Sequence, residues 1–211
     1  MDLLSISQMT SVVLTDYFAV VVGVVMGAFY GARCDLDIVG AVTTALLTGF
    51  GGGFMRDLLL HDQGIFFMEH PYLILLCVGI AAVAWHAGRH LQKMERVLIP
   101  LDALSMALFA LAGCVKAWDA GVGCIYTVIL GMLTSVGGGA LASVAVAQRP
   151  SIFTSSYYYA IAGFGGSLSY ALFKLAGAGE FVAGFTCVAV CLALRWTSIR
   201  FNLSTKAPTG E

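Results

Sequence analysis

Thr48-Gly49-Phe50-Gly51-Gly52-Gly53-Phe54-Met55-Arg56-Asp57 lies late in an apolar run, and its reading decides how the rest of the chain is placed. Each glycine of the triplet costs a helix about 1 kcal/mol relative to alanine, a penalty that a plain lipid-facing span has no reason to carry. The triplet returns as Gly137-Gly138-Gly139, 86 residues later, with Thr134 three positions ahead of it as Thr48 is ahead of the first. The same shift carries Asp16 onto Asp102, Gly27 onto Gly113, Leu47 onto Leu133, Phe67 onto Phe153, Tyr72 onto Tyr158 and Gly79 onto Gly165. Ungapped agreement over that distance makes the chain a tandem repeat. One copy covers about 12–90 and the second about 98–176; an extra helix at about 180–196 and a polar tail at 197–211 follow.

Of the 211 residues, 59% are hydrophobic and only 11% charged, with a mean hydropathy of +0.90. Soluble domains carry roughly a quarter charged residues, so the composition points to an all-α polytopic membrane protein forming a single transmembrane domain. A bilayer core of roughly 30 Å takes about 20 helical residues per crossing, which leaves room for seven spans and short loops. The expected spans are 12–31, 36–58, 71–88, 101–118, 122–146, 155–175 and 180–196. A β-barrel is excluded because the apolar runs are continuous rather than alternating with a period of two. No Lys or Arg precedes the first apolar run and no small-residue cleavage site follows it, so the first span is expected to be retained. Six cysteines scattered through apolar segments, without a Cys-x-x-Cys pair, read as small buried hydrophobes rather than as metal ligands or disulfides. Nothing in the chain requires a catalytic constellation, a cofactor or a nucleic-acid partner.

Lys and Arg set the orientation. With the N-terminus outside, eight basic residues fall on the inner side (Arg33, Arg89, Lys93, Arg96, Arg149, Arg195, Arg200 and Lys206) and three on the outer side (Arg56, Lys116 and Lys174). Three spans per repeat is an odd number, so the second copy enters the membrane upside down relative to the first. Inverted repeats place a pathway or binding site near the midplane, at interrupted helices in corresponding positions, and the two glycine triplets fit that description. The expected fold is therefore two inverted three-helix repeats plus a seventh helix.

Candidate pathway residues surround the triplets. Thr43, Thr44 and Thr48 precede Gly51, Gly52 and Gly53, while Tyr126, Thr127, Thr134 and Ser135 precede Gly137, Gly138 and Gly139. Their hydroxyls either line a polar path or bond back to carbonyls of their own helix. Arg56 and Asp57 follow the first triplet, and at that depth a guanidinium either finds a structural partner, carbonyls freed at a helix break or a carboxylate from another helix, or sets a positive potential at a pore mouth or binds an anionic group. Neighbouring side chains on a helix point about 100° apart, so Asp57 is not expected to supply it. The second repeat has Ala142 and Ser143 at the aligned positions, which breaks the symmetry. Asp16 and Asp102 are read as helix caps and repeat-packing residues before direct ion contacts. Lys116 either snorkels beside Trp118 or faces a cavity. Arg89, Lys93 and Arg96 give the inner connection its orientation signal or a contact with anionic lipid head groups. His61, Asp62, Glu69 and His70 read as a solvated loop, because none of them has a helical ligand spacing. Gly23, Gly27 and Gly31 form a small-residue ridge for close helix approach, and Tyr157, Tyr158 and Tyr159 an interfacial aromatic belt.

Met26-Gly27-Ala28, the run from Gly51 to Leu59, Pro71, Leu101-Asp102-Ala103-Leu104 and Gly137-Gly138-Gly139 together resemble the prokaryotic TRIC family, the trimeric intracellular cation channels. The resemblance implies a homotrimer with one pore per subunit, permeation by K⁺ and other monovalent cations, and kinked second and fifth spans (36–58 and 122–146) around the pore. It also implies residence in the prokaryotic inner membrane. Related bacterial proteins are described as transporters of glycine, and their second repeat usually carries its own Arg-Asp pair. A glycine or small-solute carrier is thus the alternative reading, and a purely structural membrane oligomer a third.

Overall fold

The computed structural model describes residues 3–61, 64–90, 94–153 and 158–203; the side chains of 3–12, 89–90 and 94–96 lie outside that description. Asp37 starts the second long helix by accepting the Gly40 amide at 2.7 Å, a side-chain cap on otherwise orphaned backbone donors. The helices are α1 (Leu3–Arg33), α2 (Ile38–Leu59), α3 (Phe66–Glu69), α4 (Pro71–His90), α5 (Met94–Asp119), α6 (Cys124–Ala145), α7 (Tyr159–Leu175) and α8 (Glu180–Arg200), with a 3₁₀ turn at Ser151–Phe153. Among the described residues there is no strand. Six of the helices are long and apolar enough to cross a membrane, which makes this a multi-pass membrane protein. The seventh long helix, α7, has 17 residues, about 26 Å at 1.5 Å per residue, close to the thickness of the hydrocarbon core.

Several boundaries differ from expectation. The first and fourth spans sit within helices that begin at Leu3 and Met94, and the last helix runs on to Arg200, past the expected end at 196. More consequentially, α2 and α6 run unbroken through their glycine triplets. The glycines act through missing side chains rather than through a broken helix. A Cβ on Gly52 would collide with the Thr134 carbonyl oxygen, and a Cβ on Gly138 would collide with the Thr48 carbonyl oxygen. These two contacts are images of each other under the 86-residue shift, so α2 and α6 cross backbone against backbone about a local twofold axis.

The same correspondence holds away from the axis. A Cβ on Gly27 would stand 2.6 Å from Thr48 Oγ1 and 2.7 Å from Ala45 Cα; one on Gly113 would stand 2.8 Å from both Thr134 Oγ1 and Gly131 Cα. Each first helix of a repeat thus lies in contact with the second helix of that repeat, α1 on α2 and α5 on α6. The third helices, α4 and α7, cover them, and α8 packs on α5 and α7. The Gly23, Gly27 and Gly31 ridge is consumed inside the subunit, against Phe109, Gly49, Ala45 and Ala41.

Candidate functional site

Arg56 is 1% exposed and sits in a cluster drawn from α1, α2, α3 and α5. Its Nη1 and Nη2 donate to the two oxygens of Asp16, at 2.9 and 3.1 Å, its Nε donates to Asp57 Oδ1 at 2.8 Å, and Nη1 also reaches the Ala112 carbonyl at 3.2 Å. Lys116 Nζ lies 2.9 Å from Asp57 Oδ1, and the Phe66 amide donates to Asp57 Oδ2 at 3.0 Å. Two carboxylates face two cations, so the cluster is formally neutral. Burying each ion costs several kcal/mol, which is repaid only when geometry and hydrogen bonding are nearly complete, as they are here.

Three expectations are corrected by this cluster. Asp57 does bind Arg56, because the long guanidinium side chain curls back until Nε meets the carboxylate of its chain neighbour. Asp16 lies well inside α1 and caps nothing; it is the carboxylate from another helix that Arg56 requires. Lys116 is buried and ion-paired rather than snorkelling to the interface.

A second cluster occupies the opposite end of the bundle. Asp102, also inside a helix rather than at its cap, accepts from Arg195 Nη2 at 2.9 Å and from the Tyr159 hydroxyl at 3.2 Å. The guanidinium of Arg195 stacks 4.7 Å from the centre of the Tyr159 ring. Asp102 is the repeat mate of Asp16, but Ala142 stands where an arginine would answer it, and α8 supplies the cation instead. Arg195 is therefore a buried pairing residue and not a loop charge, and Tyr159 is part of this cluster rather than an interfacial ring. All three basic residues of the Arg56 end are likewise ion-paired within the bundle, Lys174 through Glu180 at 2.8 Å.

Between the clusters lies a cavity of about 70 Å³ bordered by Thr48, Asp102, Ser105, Ser135, Gly138 and Ser143 among others. Three of the bordering hydroxyls bond back to their own helices, Thr48 to the Thr44 carbonyl at 2.8 Å, Ser135 to Met132 at 2.7 Å and Ser143 to Gly139 at 2.8 Å, as does Thr134 outside the cavity, to Leu130 at 2.6 Å. Back-bonding and lining coexist, since a hydroxyl that gives its proton to a carbonyl keeps lone pairs to offer a cation. Thr43 and Thr44 border instead an open recess of about 670 Å³ beside Arg33 and Arg149. Gly53, Arg56 and Asp57 border a small void of about 10 Å³ that also meets Asp16. Gly139 borders the main cavity, whereas Gly51, Gly52, Lys116, Thr127, Thr134 and Gly137 line none of these three spaces and Tyr126 is exposed on the outer surface of α6. Arg89, Lys93 and Arg96 lie outside the described side chains, and Asp62 outside the described residues. His70 Nδ1 meets the Phe66 carbonyl at 3.0 Å within an aromatic cluster that includes Tyr17.

A family model described as glycine transporter matches this chain twice, over residues 13–88 and 99–174, two matches that start 86 residues apart. The chain belongs to the glycine transporter family. Among curated relatives, the UPF0126 inner membrane protein YadS of Escherichia coli K12 is 25% identical to it over 195 residues, covering 92% of this chain and 93% of its own. A UPF0126 membrane protein of Deinococcus radiodurans is 32% identical over 138 residues, 65% of this chain and 64% of that one. Among solved structures, the trimeric intracellular cation channel orthologue from Rhodobacter sphaeroides superposes with a TM-score of 0.85 at 29% identity, covering 92% of this chain and all of that one. This glycine transporter family member thus has the TRIC fold. Sequence reasoning gave Arg195 and Tyr159 other roles, an orientation charge and an interfacial ring, and did not single out Ser105. Arg195 carried a signal, because Asp102 without an arginine on α6 needs a cation at its own depth, and α8 offers one.

Proposed function

We propose that the protein is a channel for monovalent cations, K⁺ foremost, with one pathway per subunit along the crossing of α2 and α6. The observation that carries this reading is the cavity at that crossing, ringed by hydroxyl oxygens and one carboxylate. Oxygen ligands of this kind replace the hydration shell of an alkali cation, and several weak sites in series favour passage over retention. A single water needs about 10–15 Å³ of such space, so this cavity holds several while the void beneath Arg56 is at the limit for one. Likeness to a trimeric cation channel of Rhodobacter sphaeroides supports both permeation and a homotrimer. Mass measurement in native lipid checks the latter, with three copies expected.

The basic residues at 33, 149 and 200 favour a cytoplasmic C-terminus in the bacterial inner membrane, the compartment in the name of the Escherichia coli relative. Arg89, Lys93 and Arg96 are proposed to meet anionic head groups on that same side.

A second reading is a carrier for glycine or a similarly small zwitterion. The family description favours it, and so does the Asp102–Arg195 pair, whose carboxylate borders the cavity and whose guanidinium lies 2.9 Å behind it. Purified protein in liposomes separates the two. The channel reading expects K⁺ efflux that is linear in driving force and indifferent to glycine; uptake of labelled glycine that saturates, with no K⁺ flux, would replace it with the carrier.

A further inference from the structure

Two spaces adjoin in the groove along α1, α2 and α5, the larger walled also by α6 at its crossing with α2 and the smaller by α3. The larger runs from Asp102 and Ser105 past Gly27 to Thr48, and the smaller continues against Val20, Gly49 and Gly53 to the Arg56 cluster. Phe109 is the one residue that borders both. Its side chain is 5% exposed and packs in an apolar cluster with Ala19 and Ala112, so an apolar level separates the hydroxyl-bearing larger space from the ion-paired end of the smaller one.

The ring closes the groove because of what faces it. A Cβ at Gly23 would stand 2.7 Å from Cε2 and 2.8 Å from Cζ of Phe109, and 3.1 Å from the Gly49 Cα. The Phe109 ring therefore takes the space that a side chain at position 23 would need, beside the close approach of the Gly23 and Gly49 backbones. Residues 23 and 109 are also 86 apart, so they are repeat mates: the second repeat places a phenyl ring where the first places nothing. The path is asymmetric at its midpoint for that reason, although the backbones around it are related by the local twofold.

We infer that Phe109 is the hydrophobic gate of the pathway, closed by its ring against Gly23 and opened by that ring turning out of the groove. The inference rests on the channel reading above. An apolar constriction of this kind empties of water and stops a hydrated cation without any fixed charge. No other element need move far, because one χ1 rotation of an aromatic side chain displaces the barrier.

A size series at this position tests it. Phe109→Ala, Phe109→Leu and Phe109→Trp are reconstituted in liposomes and K⁺ efflux is read beside the parent protein, with thermal melting in detergent to follow folding; the Leu and Trp variants keep the core filled. Efflux is expected to rise several-fold from Trp through Phe and Leu to Ala. Phe50→Ala, which enlarges the smaller space and leaves the Phe109 side chain in place, is expected to stay near the parent rate. A parent that conducts with a flat series overturns the gate and leaves the channel standing, as does Phe50→Ala rising as much as Phe109→Ala. A silent parent with a conducting Phe109→Ala supports the gate, whereas silence throughout removes gate and channel together.

Discussion

Arg56 and Asp102 show how the two halves of the chain answer the same electrostatic problem differently. Arg56 uses its planar fork on both oxygens of Asp16 while Nε holds Asp57, a set of directions that a lysine ammonium cannot reproduce. Arg56→Lys is therefore expected to lose nearly as much stability as Arg56→Ala, both in the range of about 3–5 kcal/mol typical for stranding a buried partner. Melting in detergent checks this, and normal folding of Arg56→Ala with raised K⁺ flux would make the residue a pore barrier instead. Asp102 and Arg195 are slightly more open, at 19% and 11% side-chain exposure against 7% and 1% for Asp16 and Arg56. Arg195→Ala should accordingly cost less than Arg56→Ala. Combined with Asp102→Asn it should cost less than the two changes summed, by roughly 0.5–3 kcal/mol of coupling. Additive losses would show that the α8 arginine does not serve Asp102.

At the level of α2 and α6, the crossing depends on two absent side chains. Gly52→Leu and Gly138→Leu place bulk where each residue faces a carbonyl of the other helix, so both variants are expected to part the crossing and abolish flux. Gly53→Ala is expected to be mild, since the nearest group to a Cβ there is the far end of Arg56 at 3.8 Å. Flux assays together with melting separate the three, and unchanged conductance in both leucine variants would remove the triplets from the pathway. This crossing also marks what the sequence could reveal. An 86-residue shift is visible in the letters themselves, as is the depth of each charge along an apolar run. Whether glycines break a helix or admit a neighbour is not visible, because the same residues serve both purposes and only the facing backbone decides. The partner of Arg56 was hidden for a related reason: spacing within one helix says nothing about which carboxylate another helix brings, and a flexible guanidinium can bind its own chain neighbour. Phe109 was missed since an aromatic in an apolar span is ordinary; its meaning comes from Gly23 opposite.

The molecule as a whole is an inverted pair of three-helix units, closed at one end by the Arg56 cluster, sealed midway by Phe109 and braced at the other end by α8 through Arg195. Neutral clusters at both ends and hydroxyl oxygens between them suit the passage of a cation that no fixed charge traps. Recording from the purified protein in a planar bilayer under a K⁺ gradient tests this most directly. The account predicts discrete currents that reverse at the K⁺ equilibrium potential and persist without glycine. Bilayers that stay silent while the same preparation accumulates glycine saturably in liposomes would contradict it.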